Sequence, residues 1–193
     1  MRIIAGSLRS RTLQAPAGLA TRPTSDRLRE TLFNVLAPRV QAGALLDLYA
    51  GSGAVGIEAL SRGAERVTFV ERAPAALKVL RANLDKLGIA TGVRVVSGAV
   101  GTFLRKDQAE KFDMIFLDPP YDAEAEYAAT LGLLGGPAVG LLADDGIVIA
   151  EHRRQEKLGD QFGVLHRTRL LEQGDAALSF YAVVEPGNSK GKE

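Results

Sequence analysis

The stretch DLYAGSGAVGIEAL, residues 47–60, decides how this chain of 193 residues is expected to fold. It follows the apolar residues 44–46 and leads into a helical pattern of small and apolar side chains. Its glycines match G-x-G-x-x-G between a buried strand and a helix, at Gly51, Gly53 and Gly56. In that motif the first glycine permits a tight turn, the second lets a ligand approach the backbone, and the third lets the helix pack closely on the strand. The stretch therefore predicts a strand–turn–helix unit with a ligand at the turn.

Apolar runs alternate with helical patterns through most of the remaining chain. Buried strands are predicted at residues 44–49, 66–71, 93–97, 112–118 and 146–151. Helices are predicted between them at 54–62, 73–88, 99–109 and 125–134. Repeated strand–helix units predict an α/β, Rossmann-like fold, in which a mostly parallel sheet carries helices on both faces. Residues 164–184 predict an antiparallel hairpin at one edge, which makes a sheet of roughly seven strands.

The N-terminal 39 residues form a basic arm on a chain that is nearly neutral as a whole. Seven arginines and no lysine stand against Asp26 and Glu30, a net charge of +5, whereas the whole chain has a net charge of +1. Arginine binds phosphate bidentately, so the arm suggests a polyanion partner, although a merely solvated N-terminus stays open. The candidate contacts are Arg2, Arg9, Arg11, Arg22, Arg27 and Arg29. A second group fits either a further contact or a solvated edge: His152, Arg153, Arg154 and Lys157.

The pattern of the arm divides it into two parts. Residues 1–15 predict two short strands around a turn at Gly6 and Ser7. Residues 24–36 predict a helix that Ser25 or Asp26 can cap. We therefore expect three segments, which are a basic arm and helix at 1–39, one domain at 40–185 and a disordered tail at 186–193.

The composition excludes several classes of protein. The chain has no cysteine and only two histidines, which argues against disulfides, thiolate chemistry and a histidine-rich metal site, so no metal is expected. It has no apolar run near the roughly 20 residues that span a bilayer, and no signal-peptide pattern at its N-terminus. We expect a cytoplasmic protein, and a monomer.

An acid on the second strand narrows the ligand at the glycine turn. Glu71 ends that strand, where a carboxylate can accept hydrogen bonds from both hydroxyls of a ribose. This arrangement fits both NAD and S-adenosylmethionine. Asp47, at the end of the first strand, favours S-adenosylmethionine, because a carboxylate can receive the ammonium of a methionine moiety but repels a pyrophosphate.

The fourth strand stops at FLDPPYD, residues 116–122. Proline has no N–H and a fixed φ, so Asp118 and the carbonyl of Pro119 are two acceptors without competing donors. Such acceptors suit an amino group on a nucleobase, and Tyr121 could stack on the base. The plainer interpretation, a rigid turn with Tyr121 as packing, is less favoured because ligands bind at this edge of such sheets. Asp118, Pro119, Pro120 and Tyr121 are therefore the candidate catalytic residues.

With DLYAGSG and DPPY at two strand ends, the chain resembles the Rossmann-like class I amino methyltransferases that use S-adenosylmethionine. The segments MRIIAGSLRSRTL and RPTSDRLRETLFNVL narrow the resemblance to the bacterial 16S rRNA guanine-N2 methyltransferase family, RsmD, over residues 1–184. The resemblance implies methyl transfer to N2 of one guanine, guanine 966 of 16S rRNA, in the small ribosomal subunit or its assembly intermediate. It also implies that the arginines of the arm bind RNA and that DPPY holds the target base.

The same resemblance implies a cofactor site along three strand ends. Its expected members are Asp47, Tyr49, Ala50, Gly51, Ser52, Gly53, Gly56, Glu71, Arg72, Gly98 and Ala99. One segment departs from the family pattern, because Ser97-Gly98-Ala99 stands where relatives often carry Asn or Asp against the adenine. Recognition of the adenine would then fall to backbone amides and apolar packing.

Other functions fit part of the sequence. The DPPY motif also suits adenine N6 and cytosine N4, so the choice of guanine depends on the family resemblance alone. An NAD(P)-dependent oxidoreductase would explain the glycine motif and Glu71 but leaves DPPY unexplained. A non-catalytic RNA-binding assembly factor that retains the fold is a further alternative.

Overall fold

The computed structural model describes residues 1–15, 25–106, 109–120 and 124–184, with the side chain of Glu124 left aside. Within these ranges the strands are β1 Ala44–Leu48, β2 Arg66–Glu71, β3 Val93–Ser97, β4 Phe112–Leu117, β5 Leu142–Arg153, β6 Gln161–Phe162, β7 Leu165–Gln173 and β8 Ala176–Val183. The helices are α1 Asp26–Val40, α2 Ala54–Ser61, α3 Pro74–Leu87, α4 Val100–Leu104 and α5 Glu124–Leu134, with a 3₁₀ turn at Val139–Leu141. The predicted tail at 186–193 lies outside the described residues.

All eight strands join one sheet in the order β3-β2-β1-β4-β5-β8-β7-β6. The strands from β3 to β5 pair in parallel, and β8, β7 and β6 add antiparallel pairs at one edge. Strand order reverses at β1, which lies between β2 and β4. In open α/β sheets a ligand binds at the carboxyl ends of the strands beside such a reversal. The predicted α/β, Rossmann-like fold is confirmed.

Two hydrophobic cores cover the two faces of the sheet. On one face, Leu32 of α1, Ile57 of α2 and Leu80 of α3 pack with side chains of the sheet such as Phe69, all of them without exposed surface. On the other face, residues of α4 and α5 pack against the strands in a second cluster. Burying each large apolar side chain contributes about 1.5–3 kcal/mol. In the described ranges, no helix has the length and apolar character to cross a membrane.

The elements differ from the predicted ones mainly at their ends. Helix α4 stops at Leu104, short of the predicted 109. Strand β5 begins at Leu142 and is longer than predicted, and β6 brings the strand count to eight. Helix α1 begins as predicted, because the Ser25 Oγ accepts a hydrogen bond from the Leu28 N–H at 3.1 Å and caps the first turn.

Residues 1–15, which are called the arm from here on, fold back on themselves but do not form the predicted pair of strands. The arm contains one isolated antiparallel bridge, between Arg2 and Thr12. Beyond this bridge the Arg11 N–H donates to the Leu8 carbonyl at 3.2 Å, within the turn, and the Ile4 and Ala5 N–H groups donate to the Glu58 carboxylate of α2 at 2.8 and 3.0 Å. The arm is therefore held by hydrogen bonds to the helices beneath it.

Candidate cofactor and substrate site

A cavity of about 670 Å³ opens at the carboxyl ends of β1, β2 and β4. Most of the predicted cofactor and catalytic residues line it, namely Asp47, Tyr49, Ala50, Gly51, Ser52, Glu71, Arg72, Gly98, Ala99, Asp118, Pro119 and Pro120. Two residues of the arm, Met1 and Ala15, line it as well. The sheet reversal thus brings three separate motifs to one cavity, as the sequence predicted.

The glycine turn is shaped by backbone conformation and by packing. Tyr49, Gly51 and Gly53 have φ values of 61°, 56° and 81°, in the left-handed region that favours glycine. A Cβ at Gly53 would overlap Leu80 of α3, and one at Gly56 would overlap Phe69 of β2. Neither Gly53 nor Gly56 is among the cavity-lining residues. Gly53 therefore has a packing role beside Leu80, its predicted role in the approach of a ligand stays a prediction, and Gly56 has the packing role that was predicted.

Glu71 is fixed by backbone donors from two loops. Its Oε2 accepts from the Gly51 N–H at 2.8 Å, and its Oε1 accepts from the Arg72 and Ala73 N–H groups at 2.8 and 2.7 Å. The carboxylate therefore joins the glycine turn to the loop after β2. It keeps lone pairs for a further donor, since each carboxylate oxygen can accept about two hydrogen bonds.

Asp47 lies against the base of the cavity and is only 2% exposed. Its Oδ2 accepts from the Gly56 N–H at 3.0 Å. Burial raises the pKa of Asp47 to about 8, against the opposing effect of the Gly56 hydrogen bond and with a further rise from the charge of Glu71. A cation placed in the cavity would favour the ionised carboxylate.

Four acids lie on one face of the sheet at the carboxyl ends of neighbouring strands. Asp47 of β1 is in register with Phe69 of β2 and Phe116 of β4, and Phe116 is in register with Ile149 of β5. Side chains two residues apart share a face. The acids two residues beyond those three positions are Glu71, Asp118 and Glu151. Glu151, which is 3% exposed, was not predicted, although an acid at the end of the fifth strand was a usable signal.

The surroundings of Asp118 favour its neutral form. Burial raises the pKa of Asp118 well above its usual value, and the charges of Glu151, Asp47 and Glu156 raise it further. Among the described residues it receives no hydrogen bond. Pro119 is buried, Pro120 is exposed, and both line the cavity beside it. Tyr121, the predicted stacking residue, lies outside the described residues.

Helix α5 forms a polar wall of the cavity that the sequence did not predict. The Tyr49 hydroxyl lies 2.7 Å from Glu126 Oε2 and 2.7 Å from Thr130 Oγ1, and all three residues line the cavity. Burial raises the pKa of Tyr49, so the phenol keeps its proton at neutral pH. These bonds tie the residue before the glycine turn to the first turns of α5, which follows DPPY in the chain.

The wall near Gly98 offers backbone and small side chains. A Cβ at Gly98 would meet no atom within 4 Å, so the glycine leaves open space. The Gly98 N–H donates to the Glu71 carbonyl at 2.9 Å and is not available to a ligand. Thr102 and Arg105 of the following segment also line the cavity and are polar groups that the sequence did not single out.

The predicted RNA-contact arginines divide into exposed and buried ones. Arg2, Arg9, Arg11 and Arg27 are exposed, and Arg22 lies outside the described residues. Arg29 has no exposed surface, and its guanidinium pairs with Asp26 at 2.9 Å and Glu58 at 3.7 Å and donates to the Arg2 carbonyl at 2.6 Å. The prediction that Arg29 contacts RNA is therefore wrong, because its charge is enclosed under the arm.

His152, in the second basic group, is also buried. Its Nε2 lies 2.9 Å from Ser179 Oγ and its Nδ1 lies 2.8 Å from the Arg153 carbonyl. Burial lowers the pKa of His152, so the imidazole is neutral near pH 7. The suggestion of an RNA contact is corrected for His152, whereas the side chains of Arg153 and Arg154 remain exposed.

Comparison with known proteins assigns the chain that carries this site to a family. The model of the family described as Conserved hypothetical protein 95 matches residues 1–182. The chain belongs to this family. Curated relatives include the "Putative rRNA methyltransferase YlbH" of Bacillus subtilis, 39% identical over 183 residues, which cover 94% of this chain and 98% of the relative. The "Ribosomal RNA small subunit methyltransferase D" of Escherichia coli K12 is 40% identical over 151 residues, which cover 78% of this chain and 74% of the relative.

A solved structure of a similar protein has the same fold as this chain. The structure described as "Putative methyltransferase yhhF from Escherichia coli" superposes with a TM-score of 0.81 at 38% identity, and the match covers 94% of this chain and 96% of that one. Together the comparisons confirm the resemblance to the RsmD family that the arm and the DPPY motif indicated. They also agree with the fold that carries the cavity.

Proposed function

We propose that this chain transfers a methyl group from S-adenosylmethionine to the exocyclic N2 of a guanine in 16S rRNA, guanine 966 by family resemblance. The observation that carries the proposal is the position of Asp118 and Pro119, which bring a carboxyl group and a backbone carbonyl to the same cavity as Glu71 and the glycine turn. The names of the relatives support the coarser class, methyltransferases of small-subunit rRNA. Such a substrate would place the protein in the cytoplasm.

The residues of the cavity fit S-adenosylmethionine. A volume of about 670 Å³ lies within the range of pockets for small molecules, roughly 300–1,000 Å³. Glu71 has acceptor capacity for ribose hydroxyls, and Asp47 presents a carboxylate where an ammonium would compensate its buried charge. When bound, the cofactor supplies an electrophilic methyl group on a sulfonium.

Asp118 and Pro119 are suited to orient an amino group. The lone pair of a nucleobase amine is delocalised into the ring, so the site gains most by holding the nitrogen in line with the methyl group. The Asp118 carboxylate and the Pro119 carbonyl accept the two amino hydrogens, and proline contributes no competing N–H. A positive charge bound beside Asp118 would favour its ionised form and so oppose the rise in pKa that burial and the neighbouring acids cause. The ionised carboxylate would then accept the proton that the nitrogen sheds after methylation.

The test is the modification state of rRNA in cells with and without this protein. Mass spectrometry of 16S rRNA from the deletion strain should show one guanine without its N2-methyl group, restored by the wild-type gene and not by Asp118→Ala. Loss of a methyl group from adenine N6 or cytosine N4 would change the assigned base. An unchanged rRNA, together with calorimetric binding of NADH and not of S-adenosylhomocysteine, would overturn the proposal.

A further inference from the structure

Asn83 of α3 joins the arm to the glycine turn through one buried side-chain amide. It has no exposed surface. Its Oδ1 accepts from the Gln14 N–H at 2.8 Å, and its Nδ2 donates to the Gln14 carbonyl at 3.1 Å and to the Ser52 carbonyl at 3.0 Å. A single side chain thus binds the backbone of the arm and the backbone of the turn at the same time.

Both groups that Asn83 holds belong to the wall of the cavity. Ser52 lines the cavity, and so does Ala15, the neighbour of Gln14. Met1 lines it too, and the Leu13 N–H donates to the Met1 carbonyl at 3.0 Å, which connects the two ends of the arm. The position of the arm therefore determines part of the shape of the cofactor cavity.

The arm also carries the exposed cations that suit RNA. Arg9 and Arg11 lie on its outer side and are exposed, while Leu13 on its inner side is buried. Phosphates that bind these arginines would hold the arm against the body of the protein. The arm therefore lies between the exposed arginines that would bind a polyanion and the cavity that would bind the cofactor.

A buried amide is unfavourable without its hydrogen-bond partners. If the segment at Gln14 leaves α3, Asn83 loses two of its three hydrogen bonds. The bond to Ser52 remains, but the arm then no longer fixes the orientation of the Asn83 amide. The docked arm and the ordered glycine turn are for this reason favoured together. Binding that fixes either one lowers the free energy needed to order the other.

We propose that Asn83 is a positioning residue that couples RNA binding at the arm to cofactor binding at the glycine turn. The inference rests on the proposed function and deepens it. Each ligand then raises the affinity of the chain for the other, by the same factor, because coupling of two binding equilibria is reciprocal.

The experiment measures the coupling factor in the absence of turnover. The dissociation constant of S-adenosylhomocysteine is measured for the full chain alone and with small ribosomal subunits from cells that lack this protein. For the wild type we expect the subunits to lower this constant roughly fivefold or more. In Asn83→Ala, the factor should fall to within about twofold of one, although each ligand still binds, because the arm keeps its other anchors on Glu58 and Ser61.

A second variant breaks the same link from the side of the arm. Gln14→Pro removes the N–H that donates to Asn83 and leaves the Asn83–Ser52 bond in place. Because Asn83 Nδ2 can still donate to the carbonyl of residue 14, this variant should lose coupling in part, whereas Asn83→Ala should lose nearly all of it. The matched control is Lys86→Met, which breaks another contact between α3 and the arm, from Lys86 Nζ to Thr12 at 3.0 Å, without touching the glycine turn. The control should keep the coupling factor of the wild type.

Equal dissociation constants with and without subunits in the wild type, or full coupling in both Asn83→Ala and Gln14→Pro, would overturn the inference and leave the proposed function standing. Failure of the free wild-type chain to bind S-adenosylhomocysteine at all would overturn both. Loss of coupling in Lys86→Met as well would show a general effect of loosening the arm, and would remove the specific role of Asn83.

Discussion

The Glu71 carboxylate and the Gly51 N–H, twenty residues apart in the chain, are joined by a hydrogen bond of 2.8 Å. This bond connects the end of β2 to the glycine turn after β1. Glu71 therefore helps to hold the shape of the cavity, and it is also the residue that we expect to bind the ribose there. One side chain combines a structural and a ligand-binding role, so its charge and its geometry can be tested separately.

Replacement of Glu71 by glutamine should weaken binding of S-adenosylhomocysteine by about 10- to 100-fold. The amide retains one acceptor but loses the charge, and its NH₂ cannot accept from the Gly51 N–H or a ribose hydroxyl, which together cost roughly 1.5–3 kcal/mol. Isothermal titration calorimetry measures the change. The matched control is Glu65→Gln, which changes the exposed residue immediately before the start of β2. This variant should bind S-adenosylhomocysteine as the wild type does.

Asp118→Ala should abolish most methyl transfer while the dissociation constant for cofactor stays within a few-fold of the wild type. The variant removes one acceptor of the amino group, and a positioned proton acceptor contributes about 10²- to 10⁴-fold to a rate. Single-turnover transfer to rRNA and calorimetry measure the two effects. Asp144→Ala, whose side chain is 96% exposed and pairs with Lys111, is the control. A fully active Asp118→Ala variant would refute the assigned role.

Strand positions and the acids at their ends could be predicted from local signals. Glu71 and Asp118 each follow an apolar run and precede a turn, so their place at the edge of the sheet follows from the fold class. Glu151 has the same signal, but without the register of β4 and β5 nothing in the sequence placed it beside Asp118.

Roles that depend on contacts between distant segments were not predictable. Arg29 resembles the exposed arginines near it, and its burial depends on Glu58, which lies in α2. The conformation of residues 1–15 also depends on Glu58, since its carboxylate accepts hydrogen bonds from the Ile4 and Ala5 N–H groups. The buried Glu58 carboxylate contacts both the arm and α1, but the local sequence pattern of neither segment indicates this contact.

Arg29→Met should lower the free energy of unfolding by roughly 3–5 kcal/mol, because it leaves the Glu58 carboxylate buried without that partner. Glu58 keeps Arg62, whose Nε lies 2.7 Å from Oε1, so the lower part of this range is expected. Urea denaturation measures the change. The exposed neighbour Arg27 provides the matched variant, and Arg27→Met should change stability by less than about 0.5 kcal/mol. Equal effects of the two substitutions would contradict the structural role of Arg29.

The exposed arginines of the arm should instead control how RNA binding depends on salt. Replacing both Arg9 and Arg11 by alanine should reduce the slope of log K against log salt by about one for each phosphate that these arginines neutralise in the wild type. Filter binding to small-subunit rRNA over a range of salt concentrations measures the slope. Arg94→Ala removes an exposed arginine of β3 that pairs with Glu110 and should leave the slope unchanged. A slope that Arg9 and Arg11 do not affect would mean that the arm binds RNA elsewhere or not at all.

Asp47→Asn should stabilise the ligand-free protein near pH 8 and have little effect near pH 3.5. Burial raises the folded-state pKa of Asp47 from 3.8 to about 8, so between these values the unfolded chain ionises Asp47 while the folded chain resists ionisation. Stability is lost over that window as pH rises. Asparagine has no such penalty and can still accept from the Gly56 N–H, so the gain should approach roughly 2–5 kcal/mol at pH 8. Denaturation at several pH values measures it. A gain in stability that does not depend on pH would contradict this account of Asp47. The same variant should also bind S-adenosylmethionine more weakly, because it lacks the carboxylate that we expect to pair with the ammonium group of the cofactor.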